Sequence, residues 1–160
     1  MKRIKLRKVT KSDIEYFAVW WRDEELARLT SGILYEISDY ELSKYFTDLY
    51  NSKNDYHFMI VTDDTTIGHI SLSKREGDWY ETQIVIGNKD YWGQGYGTEA
   101  IKLLMIEANK LDISKIFLEV RPTNTRAIKA YIKSGFIKTG KIYYPDNKFL
   151  PETLRMEYSK

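Results

Sequence analysis

The stretch "NKDYWGQGYGTEAIKLLMIEANKL", residues 88–111, places Gly93, Gly95 and Gly97 directly before a run with helical periodicity. Apolar residues then recur on one face at Ile101, Leu104, Met105, Ala108 and Leu111. Amide groups at the start of a helix lack intrahelical acceptors and carry partial positive charge, and glycines let an anion approach the backbone closely. The stretch therefore predicts a phosphate site at a helix N-terminus. The alternative is a tight strand-to-helix turn that needs positive φ, which usually accounts for one glycine rather than three.

The composition excludes several classes of site. The chain has 160 residues, which fits a single domain over 1–160 with a core that needs no metal or disulfide. Its 25 basic and 23 acidic residues are interspersed, and the net charge is +2. Because the chain has no cysteine, it forms no disulfide, thiolate metal site or cysteine nucleophile.

Nothing in the sequence indicates a membrane or nucleic-acid partner. No apolar run is long enough to span a bilayer, and the basic N-terminus has no apolar stretch behind it, so we expect a cytoplasmic protein without a membrane segment. An RNA-binding module would need basic residues and exposed aromatics gathered on one face. The one basic cluster consists of Lys2, Arg3, Lys5, Arg7, Lys8 and Lys11. We interpret it as the solvated flank of a strand, so nucleic acid is not an expected partner.

The order of elements predicts an α/β (α+β) domain, read as β-α-α-β-β-β-α-β-α-β-β. The pattern gives about seven strands in a mixed, mostly antiparallel sheet, flanked by four helices. The first helix is predicted over "DIEYFAVWWRDEELARL", residues 13–29, with a capping box of Ser12 and Glu15. Ser38 and Glu41 form a second capping box before the next helix. A strand-helix-strand unit in the middle implies one parallel pair of strands.

A dinucleotide-binding fold is the competing interpretation of the glycines. "GYGTEA" matches G-x-G-x-x-A, and Glu119 follows near the distance of a ribose-binding acid. That fold needs repeated strand-helix alternation, whereas three meander strands precede this loop. The "GKS" or "GKT" of a phosphate-binding P-loop is absent.

Two segments together resemble a known family. "WGQGYGTEAIKLL" and "IFLEVRPTNTRAIKAYIKSGF", residues 92–104 and 116–136, are similar to the GNAT superfamily of N-acetyltransferases, with its Q/R-x-x-G-x-G/A loop. Asn124, Ala127, Tyr131 and Gly135-Phe136 match the C-terminal signature of that family. The resemblance covers essentially the whole chain and is closest to the branch of ribosomal-protein N-terminal and spermidine acetyltransferases. The first loop position, usually Gln or Arg, is Trp92 here.

The resemblance implies acetyl-CoA as cosubstrate, no metal, an amine acceptor as partner, and allows a homodimer. It places the pyrophosphate on loop amides and pairs the pantetheine arm with the strand before the loop, where the amide of Val85 or Ile86 supports the oxyanion. Asn124 then contacts the cofactor arm, and Tyr131 protonates the departing thiolate. The implied cofactor-binding residues are Ile84, Val85, Ile86, Trp92, Gly93, Gln94, Gly95, Tyr96, Gly97, Thr98, Asn124 and Tyr131.

Acetyl transfer to an amine also needs a group that takes up the ammonium proton. No covalent intermediate is required, because a neutral amine is itself a good nucleophile. Glu81 begins the strand that carries the thioester contacts and is a candidate base; the alternative is one exposed strand residue among many. His57 and His69 lie on strands without an obvious partner, so we expect structural roles, with His69 as a reserve base.

Residues 16–37 carry the aromatic and acidic residues expected at the acceptor wall, a composition that suits a cationic amine. They are Trp20, Trp21, Asp23, Glu24, Glu25, Tyr35 and Glu36. The same patterns also describe a core helix face and a solvated acidic face. The sequence does not distinguish between a protein N-terminus, a polyamine, an aminoglycoside and an amino-sugar as the acceptor. The alternative function is a non-catalytic CoA-binding or protein-interaction module.

Overall fold

In the part of the chain that the structure describes, seven strands form one sheet, and five α-helices flank it. The computed structural model describes residues 3–30 and 35–158. Lys2 of the basic cluster, residues 31–34 of the predicted acceptor wall and Ser159 of the last predicted strand lie outside the described residues. The strands are β1 Ile4–Lys8, β2 Asp55–Thr62, β3 Thr65–Lys74, β4 Trp79–Ile86, β5 Lys115–Val120, β6 Phe136–Tyr143 and β7 Glu152–Tyr158. The helices are α1 Ile14–Trp21, α2 Glu24–Leu29, α3 Asp39–Asn51, α4 Tyr96–Lys110 and α5 Thr125–Lys133.

The strand order is β1-β2-β3-β4-β5-β7-β6. Neighbours pair antiparallel except β4 and β5, which are parallel and connected through α4. Asp63 and Asp64 turn β2 into β3 with φ of 46° and 62°, as a tight two-residue hairpin requires. The predicted α/β class, the mostly antiparallel seven-stranded sheet and, apart from one additional helix, the element order are confirmed.

The number of helices differs from the prediction of four. The segment predicted as one helix over residues 13–29 breaks at Arg22 and Asp23, so α1 and α2 are separate. The carboxylate of Asp23 accepts a hydrogen bond from the amide of Leu26 at 3.0 Å and caps α2. The periodicity continues through this break, which explains why the pattern predicted a single helix.

Capping residues explain where the chain enters the helical layer. Ser38 and Glu41 form the predicted capping box, with the Glu41 amide donating to Ser38 Oγ at 3.1 Å. The predicted box of Ser12 and Glu15 is wrong. Asp13 instead accepts from the amide of Thr10 at 2.7 Å and forms an ion pair with Arg7, so the capping contacts begin two residues earlier.

The sheet separates two apolar cores. On one face, α4 and α5 pack against alternate residues of the central strands, including Ile84 and Ile86. On the other face, α1, α2 and α3 enclose a smaller aromatic cluster that Val85 contacts. Because successive side chains on a strand point to opposite faces, β4 presents Ile84 and Ile86 to one core and Val85 to the other.

None of the helices within the described ranges is long and apolar enough to cross a bilayer.

Candidate functional site

The central parallel strands separate after a short paired segment. β4 pairs with β5 from Trp79↔Lys115 to Glu81↔Phe117, and the pairing ends there. From Thr82 to Ile86, β4 remains paired with β3 on its other side. The β5-facing edge of this half of β4 is therefore open to an added strand-like partner, and backbone pairing is how such an edge binds an extended ligand.

The glycine loop lies at the open end of this gap. Gly93 and Gly95 have φ of 69° and 86°, a conformation that side chains rarely tolerate, and Gly95 is the residue before α4. A Cβ built on Gly93 would meet nothing within 4 Å, so the loop faces open space. One on Gly97 would lie 3.9 Å from Ile84 Cδ1, which places the helix start directly beside β4. These features fit a diphosphate on the amides of the first helical turn.

Trp92 joins the loop to the end of β4. Its indole Nε1 donates to the carbonyl oxygen of Ile86 at 2.6 Å, and the Arg126 guanidinium lies 3.9 Å from its ring centroid. The sequence showed this residue only as a departure from the family pattern. The structure gives it a role in fixing the position of the loop relative to the strand.

Tyr131 lies on the α4 and α5 side of the sheet. It is 8% exposed, contacts Phe136 at a centroid distance of 6.0 Å and belongs to the same apolar core as Ile84. Burial raises the pKa of its hydroxyl well above the usual value. The hydroxyl therefore stays protonated at neutral pH.

Asn124 caps α5 and also forms a hydrogen bond with the end of α2. Its Oδ1 accepts from the amide of Ala127 at 3.3 Å, which caps α5, and its Nδ2 donates to the carbonyl of Leu29 at 3.4 Å at the end of α2. The side chain thus connects the two helical layers beside the gap. These contacts support the capping interpretation of "PTNT" and leave contact with a cofactor arm as a prediction.

Glu81 is partly buried and ion paired. Arg75 Nη2 lies 2.7 Å from its Oε1. Glu81 is four residues before Val85 on β4, which corresponds to about 13 Å along a strand. The carboxylate is therefore on the correct face of the sheet but remote from Val85.

Glu119 does not occupy a nucleotide-binding position. Its Oε1 accepts from Tyr144 and Thr153, each at 2.6 Å, and so connects β5 to the last hairpin. The bond to Glu119 raises the pKa of Tyr144 to about 12. These contacts agree with the rejection of the dinucleotide-binding interpretation.

A cavity of about 340 Å³ lies between the helical layer and the face of β4 that carries Val85. Small-molecule sites begin at about this size. Val85 and His69 contribute from the sheet. The aromatic and aliphatic walls include Phe17, Trp20, Trp21, Leu26, Tyr35 and Ile37. Trp20, Trp21 and Tyr35 thus line a cavity, as the acceptor-wall interpretation predicted.

The predicted acidic residues of that wall are elsewhere. Lys89 pairs with Asp23 at 2.8 Å and with Glu25 at 3.0 Å, and Arg28 pairs with Glu24 at 2.7 Å. Glu36 is exposed. Among the described residues, no carboxylate lines the cavity, so these acids do not form its walls. Short charged side chains at helix ends reach solvent and neighbouring cations more easily than an apolar cavity.

The two histidines are partners, contrary to the expectation that they have none. His57 Nδ1 and His69 Nε2 are 3.0 Å apart, and the ring planes differ by 11°. A ring-centroid separation of 5.2 Å fits a hydrogen bond in the common plane of the rings. Asp55 lies 3.9 Å from the other nitrogen of His57. Burial lowers the pKa of both rings, and that of His69 falls to about 3.

No signal in the sequence revealed this pair, because the two residues are twelve positions apart on different strands. In the hairpin of β2 and β3, His57 is opposite Ser71, and His69 is opposite Met59. The two histidines are therefore diagonal neighbours on the same face of the sheet. Among the described residues, no group of three or more His, Asp or Glu side chains could hold a metal ion.

Comparison with known families gives one match over most of the chain. The model of the acetyltransferase (GNAT) domain matches residues 3–137. Aminoglycoside N(6')-acetyltransferase type 1 of Klebsiella pneumoniae is 26% identical over 140 residues, covering 79% of this chain and 66% of that protein. The chain therefore spans slightly less than two thirds of the length of this relative.

Solved structures share the fold at lower identity. Spermidine N-acetyltransferase from Vibrio cholerae, in complex with CoA and spermine, superposes with a TM-score of 0.83 at 19% identity, covering 96% of this chain and 94% of that one. Aminoglycoside acetyltransferase AAC(6')-Ib in complex with coenzyme A gives 0.82 at 17% identity, covering 99% and 95%.

Proposed function

Because the chain belongs to the GNAT acetyltransferase family, we propose that it transfers an acetyl group from acetyl-CoA directly to a primary amine in a ternary complex. The observation that carries this proposal is the half-open strand β4, which has a glycine loop at one end and an aromatic cavity on one face. The Klebsiella relative acts on aminoglycosides by name, and the Vibrio structure contains CoA and spermine.

The chain offers a backbone site for the cosubstrate. The loop residues Trp92, Gly93, Gln94, Gly95, Tyr96, Gly97 and Thr98 surround the start of α4, where amide groups favour a diphosphate. Ile84, Val85 and Ile86 provide the open edge that pairs with an extended arm. When bound, acetyl-CoA supplies the acetyl group as a thioester. The amide of Val85 or Ile86 is the donor that this edge offers to the acetyl carbonyl.

Tyr131 is the proposed acid. An acid for a thiolate must hold its proton at working pH, and burial keeps this hydroxyl protonated. Tyr131 shares a core with Ile84, on the face opposite the cavity. A proton donor on that face does not compete with the amine for space.

Glu81 is the sequence-derived candidate for the base. Its carboxylate pairs with Arg75 and lies close to the sheet face, from which a base could act through water. Its separation of about 13 Å from Val85 along the strand argues against direct contact with an amine held there.

The cavity favours an acceptor whose amine is attached to an apolar or aromatic body. Rings and aliphatic groups form its walls, and the nearby carboxylates are neutralised by Lys89 and Arg28 outside it. A polycation would have to leave several charges against this apolar surface, which is costly. An arylalkylamine, or a peptide with an apolar first residue, fits the chemistry of the walls.

A release assay for free thiol tests the proposal, with acetyl-CoA and a panel of acceptors. The panel contains phenethylamine, peptides with Leu, Phe, Ser or Lys at the first position, spermidine and kanamycin. We expect the highest kcat/KM with phenethylamine or the Leu and Phe peptides. Higher values for spermidine or kanamycin would contradict the acceptor class. No release above hydrolysis with any amine, despite CoA binding by calorimetry, would support the alternative of a non-catalytic CoA-binding module.

A tryptophan pair tests the place of the acceptor. Trp21 lines the cavity. Trp79 is not among the lining residues and instead packs on Phe117, with the two ring centroids 6.0 Å apart. Trp21→Ala should raise the acceptor KM about tenfold or more, because an apolar wall is removed. Trp79→Ala is the matched control and should leave that KM unchanged. Equal effects of the two changes would place the acceptor outside the cavity.

A further inference from the structure

The histidine pair lies at the point where an acceptor amine would meet β4. His69 is directly opposite Val85 in the antiparallel register of β3 and β4, and both line the cavity. Side chains opposite each other on one face have Cβ atoms about 5 Å apart. Val85 is one of the two residues proposed to support the acetyl carbonyl. His69 is therefore much nearer to this position than Glu81.

The partners of the pair fix its tautomers. Asp55 lies beside Nε2 of His57, where a negative carboxylate favours a proton on that nitrogen. Nδ1 of His57 is then the acceptor, so Nε2–H of His69 donates in the 3.0 Å bond. This leaves Nδ1 of His69 with its lone pair. Among the described residues, no protein donor bonds to that nitrogen.

We infer that His69 is the base that takes the proton of the acceptor amine, with His57 and Asp55 as positioning residues; this rests on the proposed function. An N–H bond of the acceptor breaks, and an Nδ1–H bond forms on His69. The resulting imidazolium keeps its Nε2–H donated to His57. The negative charge of Asp55, beyond His57, offsets the positive charge on the pair until the proton passes to solvent.

The surroundings of His69 suit this role. The titratable groups around it are His57 from β2, with Asp55 beyond it, and Asp13 from the turn before α1. Tyr35 and Tyr45 line the same cavity. Asp13 is neutralised by Arg7 at 2.8 Å. Burial keeps the pKa of His69 low, so the ring is neutral and able to accept a proton throughout the physiological range. The same burial makes His69 a weak base, and a positive charge on His57 would lower its pKa further.

Ser71 provides an independent sign that the polar region continues under the cavity. Its hydroxyl is buried and, within the described residues, lacks a hydrogen-bond partner. Ser71 is opposite His57 in the register of β2 and β3 and two residues from His69 on the same face. A buried hydroxyl normally has a partner. A water molecule or a polar group of the acceptor beside the histidines would supply it.

Nitrogen NMR of the free protein tests the proposed tautomers of the two histidines and needs no activity measurement. The chain has only two histidines, so the two imidazole patterns can be assigned by substituting one of them. At pH 7.5 we expect both rings to be neutral, with the proton on Nε2 and none on Nδ1. A proton on Nδ1 of His69 would overturn the proposed base.

Kinetics at saturating substrates test the role itself. If His69 is the base, the acid limb of the pH profile lies well below neutral pH, because the pKa of His69 is about 3. His69→Gln should lower kcat about a hundredfold or more at neutral pH and abolish that limb, with unchanged CoA affinity. His57→Gln should lower kcat less and shift that limb, an effect that a purely structural role would not produce. Ser73→Ala, a buried change on the same face of β3, is the control and should retain wild-type kcat.

The outcomes separate this inference from the proposed function. An active wild type with an unaffected His69→Gln variant would overturn the base and leave the acetyltransferase proposal standing. A wild type that releases no thiol above the rate of hydrolysis with any amine of the panel would overturn both. If His69→Gln does not fold, His69→Asn and the limb shift in His57→Gln decide the question by the same criteria.

Discussion

His69 and Val85 face each other across β3 and β4, and both side chains reach the same cavity. Ile84, the neighbour of Val85 on β4, points to the opposite face and joins the core that contains Tyr131. The proposed base and acid therefore lie on opposite faces of the sheet. Proton uptake from the amine and proton delivery to the thiolate can then occur on opposite sides of the reacting carbonyl.

Gly95→Val should weaken CoA binding by well over tenfold. Gly95 has a φ of 86°, which a β-branched residue adopts only with strain, and the added side chain would obstruct the amides at the start of α4. Calorimetry measures the change. Gly140→Val is the control, because a Cβ there meets nothing within 4 Å. Wild-type affinity in a folded Gly95→Val protein would exclude the loop from the site.

Tyr131→Phe should lower kcat about a hundredfold with little change in CoA affinity, because one proton donor is lost and the core volume is kept. Tyr158→Phe is a matched control, since Tyr158 and Tyr131 both contact Phe136. Single-turnover measurements ensure that chemistry limits the rate. If both variants turn over like the wild type, Tyr131 is an ordinary core residue.

Glu81→Gln distinguishes two candidate bases. If Glu81 acts as the base, the acid limb of the rate profile should shift or vanish while CoA affinity persists. If His69 is the base, the limb should remain in Glu81→Gln, and kcat should fall less than tenfold through loss of the pair with Arg75. A rise in acceptor KM alone would indicate that Glu81 anchors the acceptor.

Folding stability should fall as the pH decreases below about 6.5. Burial lowers the pKa of both histidines, so the unfolded chain binds more protons than the folded one below the ordinary value of about 6.5. Their contribution is complete above that pH and is lost toward the folded pKa, about 3 for His69. Each histidine can add a slope of up to about 1.4 kcal/mol per pH unit.

Urea unfolding between pH 7.5 and 4.5 measures this slope. The double variant His57→Gln/His69→Gln should show a flatter dependence over the same range, because the titrating groups are gone. Equal slopes in the two proteins would mean that the histidines are not protected from protonation in the folded state.

Asn124→Ala should destabilise the protein by about 1 kcal/mol, the usual effect of removing a helix cap. Asn124→Asp keeps the capping oxygen and loses the Nδ2 donor to Leu29, so it isolates the contact between helices. Urea midpoints compare the two. An Asp variant as destabilised as the Ala variant would show that the Leu29 contact, rather than the cap, is the main contribution.

The sequence determined those features that depend on local geometry. The glycines at positive φ, the helix after them, the cap at Ser38 and the alternating strands all follow from preferences within a few residues. The family motif added Tyr131 and Asn124 through fixed spacing along one helix. Local chemistry did not distinguish the capping acids Asp13 and Asp23 from their neighbours, so the start of the helical layer was misplaced and the break before α2 was not predicted.

Only the tertiary structure decided which residues meet. Strand register brought His69 opposite Val85 and within a hydrogen bond of His57, whereas a shift of one residue would have turned both rings to the other core. Helix packing forms the cavity, and Asp23 and Glu25 pair with Lys89 instead of lining it. Contacts between distant segments depend on register and packing, which are properties of the whole sheet and its two cores. The sequence pattern specifies the separate elements, and their assembly positions the candidate base.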